Sequence, residues 1–268
     1  MPPIVIAEIG ENHIGDMDIA RTLILKAAQA GADYVKFQSY RPQNFKKDDP
    51  EYDWFCKVAL SDENHVMLKR EADKAGIKFL SSPFSLERAR FLCEYLHMKE
   101  IKIASGMMMN IPILEYINDH AKTVFLSTGL ATIPEIRKAL SYLNRVKKCY
   151  ILHCVTQYPC SDKDANLLAI KVLQDEFPEN DIGYSDHTVG IDAAILAVAL
   201  GAKVIEKHLT FDKNASEGTD HVLSVDPEEL SEMVRRIQQA EKYLGRREKI
   251  PTEDEKRILD FVRNRFMG

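Results

Sequence analysis

The stretch "DIARTLILKAAQAGADYVKFQ" (residues 18–38) contains one complete repeating unit of the fold. Apolar residues at helical spacing run as far as a helix-ending glycine, and "DYVKFQ" (33–38) then has the composition of a buried strand. Comparable strand-like runs recur along the chain, at 4–9, 78–82, 101–105, 123–128, 149–154, 181–185 and 203–209. Amphipathic stretches lie between them, for example at 85–96 and 133–143. Eight strands alternating with helices predict an α/β protein, a single-domain (β/α)8 TIM barrel over residues 1–268.

A doubly wound open sheet is the alternative, and it is disfavoured because no glycine-rich turn follows the first strand. The longest connection, residues 39–61, contains the only tryptophan and follows the second strand. A connection of this length on the side where the strands end predicts a lid. The chain ends with one capped helix beginning near "PTEDE" (251–255).

The composition narrows the classes of function. The formal net charge is −5 with both signs spread along the chain, so a basic footprint for nucleic acid or for a membrane surface is excluded. The longest apolar stretch, "AAILAVAL" (193–200), is too short to span a bilayer. The N-terminus shows no targeting pattern, and the five cysteines form no CxxC motif. We therefore expect a cytoplasmic protein with reduced thiols.

Polar side chains follow nearly every predicted strand. They are Glu8, Lys36, Gln38, Ser81, Ser82, Lys102, Ser105, Ser127, Thr128, His153, Thr156, Ser185, His187, Glu206 and His208. Because the carboxyl ends of barrel strands surround the reaction site, this ring predicts an active site. Lysines and serines supply donors to anionic oxygens, which indicates a phosphate or a phosphate-plus-carboxylate ligand. Lysines extended into water at the rim are the alternative.

The histidines differ in their predicted roles. His187 and His208, on neighbouring predicted strands, are predicted to bind a catalytic divalent metal, although a single histidine at a strand end is more often structural. His153 is expected in the core, with Cys154 beside it as a packed thiol. Asp186 points away from the site by alternation and is expected to be structural. The remaining candidates lie in helical stretches and are predicted to be solvated, namely His65, His97 and His120.

Ordered motifs then give a specific resemblance. They are "AEIGENHIG" (7–15), "VKFQ" (35–38), "SSPFS" (81–85), "KIASG" (102–106), "LSTGLA" (126–131), "LHCVTQYP" (152–159), "GYSDHTVG" (183–190), "ALGAKVIEKHLTFDK" (199–213) and "GTDHVLSVDPEEL" (218–230). In order and spacing they resemble the sialic acid (N-acetylneuraminate) synthase family. The resemblance covers essentially the whole chain.

This resemblance implies a TIM-barrel transferase that condenses phosphoenolpyruvate with an open-chain N-acyl amino sugar such as N-acetylmannosamine. The products are a 2-keto-3-deoxy sugar acid and phosphate, and the cofactor is a divalent ion, Mn²⁺ first, with Mg²⁺ or Co²⁺ as alternatives. By motif, the residues that would hold phosphoenolpyruvate are Lys36, Ser82, Lys102, Ser105, Ser127 and Ser185. His187 and His208 match the metal ligands. The residues around the reacting centre and the acceptor would be Glu8, Gln38, Thr156, Tyr158 and Asp220.

The sequence departs from the family pattern at the acceptor side. Members usually carry a C-terminal antifreeze-like domain that reaches across a dimer, and this chain ends at Gly268, near the predicted end of the barrel. Met107 occupies a position where sialic acid synthases place a glutamate, and Thr156 one that often bears an amide. A homodimer is expected from the resemblance. The same chemistry on another sugar or sugar phosphate, and a catalytically weak metal- or ligand-binding barrel, remain alternatives.

Overall fold

The computed structural model describes residues 2–215 and 220–265, and within them the chain forms eight strands and ten α-helices. The strands are β1 (Ile4–Gly10), β2 (Tyr34–Ser39), β3 (Lys78–Pro83), β4 (Glu100–Ile103), β5 (Thr123–Ser127), β6 (Lys148–Cys154), β7 (Asp181–Asp186) and β8 (Val204–His208). The helices are α1 (Met17–Gln29), α2 (Tyr52–Val58), α3 (Asp62–Ala75), α4 (Leu86–Arg90), α5 (Ile111–His120), α6 (Ile133–Ser141), α7 (Ala169–Glu176), α8 (Asp192–Ala199), α9 (Pro227–Leu244) and α10 (Glu253–Asn264). Among the described residues, no helix is both long and apolar enough to cross a membrane.

The strands form one parallel sheet in the order β3-β2-β1-β8-β7-β6-β5-β4. The first strand pairs with both β2 and β8, and the two end strands, β3 and β4, lie side by side. The sheet therefore curves into a barrel that closes by packing between β3 and β4. The predicted (β/α)8 barrel is confirmed, and the open doubly wound sheet is wrong.

The barrel interior is divided into an apolar half and a polar half. Inside the sheet, Ile6, Tyr34, Leu80, Phe125, Leu152 and Val204 form a small buried cluster. Because side chains alternate along a strand, the residue two positions later faces the same interior. Glu8 follows Ile6 in this way, and Lys36 follows Tyr34. The apolar cluster therefore supports a layer of polar side chains at the carboxyl ends of the strands.

The lid predicted over residues 39–61 is partly helical. It contains a 3-10 turn at Pro42–Asn44 and the short helix α2. The predicted capped helix at the end of the chain is confirmed as α10, where Thr252 and Glu255 form a reciprocal cap.

The solvated position predicted for His65 is wrong. Its side chain is fully buried and its Nδ1 lies 2.9 Å from the carbonyl of Ser61. His65 shares the inner face of α3 with Leu68 and Ala72, which are also buried. Leu68 and Ala72 follow His65 by three and seven residues, and this helical spacing of apolar residues is the signal in the sequence that places His65 on the inner face.

Candidate active site

A cavity of about 450 Å³ opens at the carboxyl ends of the strands. Every residue that the family resemblance assigned to the site lines it: Glu8, Lys36, Gln38, Ser82, Lys102, Ser105, Ser127, Thr156, Tyr158, Ser185, His187, His208 and Asp220. Three other strand-end residues of the predicted ring do not line it, namely Ser81, Thr128 and His153. The structure also brings residues into the lining to which the sequence analysis assigned no role at the site. They are Glu11, Phe55, Phe84, Ala104, Gly106 and Cys154. Glu206, a member of the predicted ring without a specific role, also lines the cavity.

Four buried charges form the floor of this cavity. Lys36 Nζ lies 3.1 Å from Glu8 Oε2 and 3.6 Å from Glu206 Oε2. Lys102 Nζ lies 3.6 Å from the other oxygen of Glu206, and Ser185 Oγ donates to that same oxygen at 2.9 Å. The carboxylate of Glu206 therefore lies between the two ammonium groups. The sequence places Glu206 in the predicted ring, at the end of β8 and on the same face as His208, but it does not indicate this central position between two lysines.

Serine hydroxyls accompany both lysines. Lys102 Nζ donates to Ser127 Oγ at 2.7 Å, and Lys36 Nζ lies 3.4 Å from Ser82 Oγ. All of these side chains are buried. Solvated rim positions for Lys36 and Lys102, the alternative considered from the sequence, are wrong.

The backbone of Gly129 passes close to the side-chain hydroxyls of Ser105 and Thr156. The amide of Gly129 donates to Ser105 Oγ at 3.0 Å. A Cβ at position 129 would lie 2.3 Å from Thr156 Oγ1 and 2.8 Å from Ser105 Oγ. The glycine of "LSTGLA" is therefore required for both hydroxyls to reach this wall of the cavity.

The two carboxyl groups of the floor differ in acidity. Burial raises the pKa of Glu8 to about 7, and the ammonium of Lys36 only partly opposes this effect. Burial also acts to raise the pKa of Glu206, but Lys102 and Lys36 outweigh it and lower that pKa to about 2. Glu206 is therefore a permanent anion, whereas Glu8 exchanges a proton near neutral pH. A carboxyl group with this pKa is suited to general acid or base catalysis.

The histidine pair occupies one wall of the cavity. The rings of His187 and His208 have centroids 5.4 Å apart, and the ring of Tyr158 lies 4.1 Å from that of His187. His187 Nδ1 donates to the carbonyl of Val155 at 2.7 Å, which leaves Nε2 unprotonated in the neutral ring. His208 Nδ1 lies 3.4 Å from Asp220 Oδ2.

These imidazoles fit a divalent cation. Burial lowers the pKa of His208 to about 4, so its ring is neutral at pH 7, as a metal ligand must be. A carbonyl that accepts the other ring proton, as Val155 does for His187, is the usual support of a ligating histidine. Within residues 2–215 and 220–265, no group of three or more His, Cys, Asp or Glu side chains is placed to hold a metal. Two imidazole ligands would leave coordination positions for substrate and water, as a catalytic ion requires.

The residues that line the cavity do not include Asp186, His153 or Met107. Asp186 faces the helical layer, as alternation predicts, and forms an ion pair with Lys207. His153 is buried and stacks on Tyr184, so the predicted core position is confirmed. Met107 is half-buried against the apolar core and is not among the residues that line the cavity. Two residues of the last motif, Gly218 and Thr219, lie outside the described residues.

The fold and this cavity define a class of protein, a (β/α)8-barrel enzyme that binds an anionic substrate. Known proteins narrow the class. The NeuB family model matches residues 23–249. An uncharacterized protein of Methanocaldococcus jannaschii is 45% identical, with 96% of this chain and 77% of that protein covered. The N,N'-diacetyllegionaminic acid synthase of Campylobacter jejuni is 42% identical, with 99% and 84% covered.

A solved structure of a protein with a related name is similar to this chain in both fold and sequence. The N-acetylneuraminic acid (sialic acid) synthetase of Leptospira borgpetersenii serovar Hardjo-bovis, in complex with citrate, superposes with a TM-score of 0.93 at 35% identity. The match covers 99% of this chain and 93% of that chain. The chain belongs to the NeuB family. The family that the motifs resemble is therefore confirmed, and with it the enzyme class, a transferase of the sialic acid synthase type.

Proposed function

We propose that this protein condenses phosphoenolpyruvate with an open-chain N-acyl amino sugar to give a 2-keto-3-deoxy sugar acid and phosphate. The observation that carries the proposal is the pair of buried ammonium groups, Lys36 and Lys102, at the floor of one cavity with serine hydroxyls beside them. Buried cations are costly unless anions compensate them. Glu206 and the ionised form of Glu8 offset this charge in the free protein, and a phosphate and a carboxylate of the substrate would accept hydrogen bonds from the ammonium and hydroxyl groups.

The reaction makes one C–C bond and releases phosphate. C3 of phosphoenolpyruvate attacks the aldehyde carbon of the acceptor, and water adds to C2, which has become electron-deficient. The resulting tetrahedral centre loses phosphate by C–O cleavage, and C2 becomes the ketone. Glu8, whose pKa is about 7, orients this water and accepts its proton. Lys36, Lys102 and the serine hydroxyls stabilise the departing phosphate as hydrogen-bond donors.

We further propose that His187 and His208 hold a divalent cation, Mn²⁺ in the first place and Mg²⁺ or Co²⁺ as alternatives. The support is the neutral, buried imidazole of His208 and the carbonyl-backed ring of His187. When bound, such an ion supplies Lewis-acid polarisation of the acceptor aldehyde. Tyr158 packs against His187 and keeps this wall of the cavity apolar beside the ligating nitrogen.

An amino sugar is the better acceptor on the present observations. A sugar phosphate would need a further free basic cluster, and the only candidate segment in the sequence is "RPQNFKK" (41–47), which begins with Arg41. Its guanidinium is already paired with Asp62 at 2.8 Å and with Glu87 at 3.2 Å. Gln38, Tyr158 and Asp220 offer an amide, a hydroxyl and a carboxylate, which match the hydroxyl and acetamido groups of a neutral sugar.

The test is phosphate release from phosphoenolpyruvate and Mn²⁺ in the presence of different aldoses. The panel contains N-acetylmannosamine, a 2,4-diacetamido hexose, mannose and arabinose 5-phosphate. We expect release with an N-acyl amino sugar and less with the other two. Release with arabinose 5-phosphate alone would favour the sugar-phosphate alternative. Binding of phosphoenolpyruvate without release from any acceptor would favour the weakly active barrel.

We also propose that the protein acts in the cytoplasm as a homodimer. The five cysteines are all free, which suits a reducing compartment. The support for a dimer is the surface of α10. None of its described residues is buried within one chain, and three of its large apolar side chains are exposed, those of Ile258, Phe261 and Val262. A second copy would cover such apolar side chains. Cell fractionation and sedimentation velocity test these two statements.

A further inference from the structure

The lid, residues 39–61, is fixed at its base. The buried guanidinium of Arg88 donates through Nε to Ser39 Oγ at 2.8 Å and through Nη1 to Asp62 Oδ1 at 2.6 Å. Arg41 donates to the other oxygen of Asp62 at 2.8 Å. One buried arginine therefore holds the first residue of the lid and the residue that follows its last. Both ends of the lid are thus anchored to the barrel.

A single carboxylate holds the lid at the cavity. Glu11, in the loop after β1, accepts a hydrogen bond from Trp54 Nε1 at Oε2, 2.7 Å, and from the hydroxyl of Tyr40 at Oε1, 2.8 Å. Both donors belong to the lid, and Glu11 itself lines the cavity. Each oxygen of this one carboxyl group thus holds a different part of the lid.

The two donors bring an aromatic cluster over the cavity. The rings of Phe45 and Phe55 stack with centroids 4.1 Å apart, and Tyr40 meets both of them edge to face. Tyr40 also meets Phe84 edge to face, with centroids 6.0 Å apart. Phe55 and Phe84 line the cavity. Phe55 is adjacent in sequence to Trp54, so the bond from Trp54 to Glu11 fixes the position of the ring that covers the cavity.

A second contact joins the same two segments. Gly15 has φ +84°, and a Cβ built on it would lie 2.7 Å from the carbonyl oxygen of Lys57, in the lid. No side chain fits at this approach without moving the backbone of α2. The loop after β1 therefore packs directly against the lid helix, at Glu11 and again at Gly15.

Glu11 lies on the side of the cavity that we assign to the acceptor. Burial raises the pKa of its carboxyl, the bonds from Trp54 and Tyr40 oppose this, and the negative charge of Asp220 adds to the rise. Asn12, next to Glu11, donates to Ser224 Oγ at 2.9 Å, and this hydroxyl donates to the carbonyl of Asp220 at 2.5 Å. Glu11 and Asp220 therefore belong to the same side of the cavity, which both of them line. Asp220 is one of the residues proposed to face the acceptor, whereas the lysines proposed to hold phosphoenolpyruvate lie at the floor.

We propose that Glu11 is a positioning residue that holds the lid closed, so that Phe55 covers the acceptor end of the cavity and excludes water there. The inference rests on the proposed function for the identity of the acceptor. It predicts a selective effect. Loosening the lid should weaken use of the sugar, while phosphoenolpyruvate, bound at the floor, should be little affected.

The experiment compares Glu11→Gln with Asp53→Asn. The glutamine keeps the size of the side chain but presents an NH₂ group to one of the two donors, so one hydrogen bond is lost. Asp53 is an exposed acid on the same lid helix and serves as the matched control. Steady-state kinetics give KM for each substrate, and acrylamide quenching reports Trp54, the only tryptophan in the chain.

For Glu11→Gln we expect acceptor KM to rise about tenfold, with KM for phosphoenolpyruvate changed less than about twofold. Quenching of Trp54 should increase in the same variant and remain unchanged in Asp53→Asn. Tyr40→Phe, which deletes the other donor, should reproduce the selective rise in acceptor KM. Equal rises in both KM values, or unchanged quenching in Glu11→Gln, would overturn the proposal. If none of the acceptors supports phosphate release by the wild-type protein, the proposed function fails. Quenching of Trp54 still decides whether Glu11 holds the lid.

Discussion

Asp186 and Lys207 form an ion pair behind the active site, 3.0 Å apart, with both side chains completely buried. They lie on neighbouring strands, each one position before a proposed metal ligand. The Lys207 ammonium also donates to the carbonyl of Thr188, and Asp186 accepts from the hydroxyl and the amide of Thr188, both at 2.8 Å. The pair therefore fixes β7 to β8 where His187 and His208 project into the cavity.

Removing one member of this pair should strongly destabilise the protein. Lys207→Met leaves the carboxylate of Asp186 buried without its cation, and we expect the free energy of unfolding to fall by about 3 kcal/mol. Urea denaturation measures the change. Lys203→Met, at an exposed position just before the same strand, is the control and should lie within about 0.5 kcal/mol of wild type. Equal stability of the two variants would contradict a structural role for the pair.

Glu8 should produce the acidic limb of the pH-rate profile. Its pKa of about 7 belongs to the free enzyme, and a base must be ionised to accept a proton. We expect kcat/KM to fall about tenfold for each pH unit below that pKa. Glu8→Gln should lower kcat/KM by about 10²-fold or more and remove the limb. If kcat/KM instead falls as the pH rises above 7, Glu8 acts in its protonated form, as a general acid.

The histidine pair should bind the activating ion. Treatment with EDTA should suppress phosphate release, and added Mn²⁺ should restore it. His187→Ala and His208→Ala should each abolish restoration and weaken Mn²⁺ binding measured by calorimetry, with an unchanged circular dichroism spectrum. His97→Ala, at an exposed position, is the control. Full activity of His187→Ala would refute its assignment as a ligand.

His65 should make the protein less stable in mild acid. Burial lowers the pKa of His65 in the folded protein to about 4, below the ordinary value of 6.5. Above pH 6.5 neither state is protonated and the stability is complete. As the pH falls from 6.5 towards 4, only the unfolded chain takes up the proton, so the free energy of unfolding decreases by up to about 3 kcal/mol.

Urea denaturation between pH 4.5 and 7.5 measures this dependence. His65→Phe keeps an aromatic ring at the position but cannot titrate. The variant should show a shallower pH dependence than wild type, whatever its absolute stability. An identical slope in the two proteins would show that His65 is not responsible.

The sequence was sufficient for the barrel and for most of the cavity lining because both depend on local periodicity. The alternation in "DYVKFQ" (33–38) places Lys36 on the interior face, and the glycine after α1 ends the helix. A helix between two strands lets the second strand run parallel to the first. Repetition of this unit brings all carboxyl ends to one side of the barrel. The strand-end residues of the site could thus be named from the sequence, whereas Tyr158 and Asp220 were assigned by the family resemblance.

Relations between distant strands and loops required the tertiary structure. Alternation places Lys36, Lys102 and Glu206 in the interior, but only the curvature of the closed sheet puts the carboxylate of Glu206 between the two ammonium groups. The acidities follow from that arrangement, since Glu8 and Glu206 have the same side chain and differ only in burial and in neighbouring charge. The contact between Glu11 and Trp54 joins residues 43 positions apart. Sequence periodicity is local and fixes the face of each side chain, whereas distances across the barrel depend on how the eight strands close.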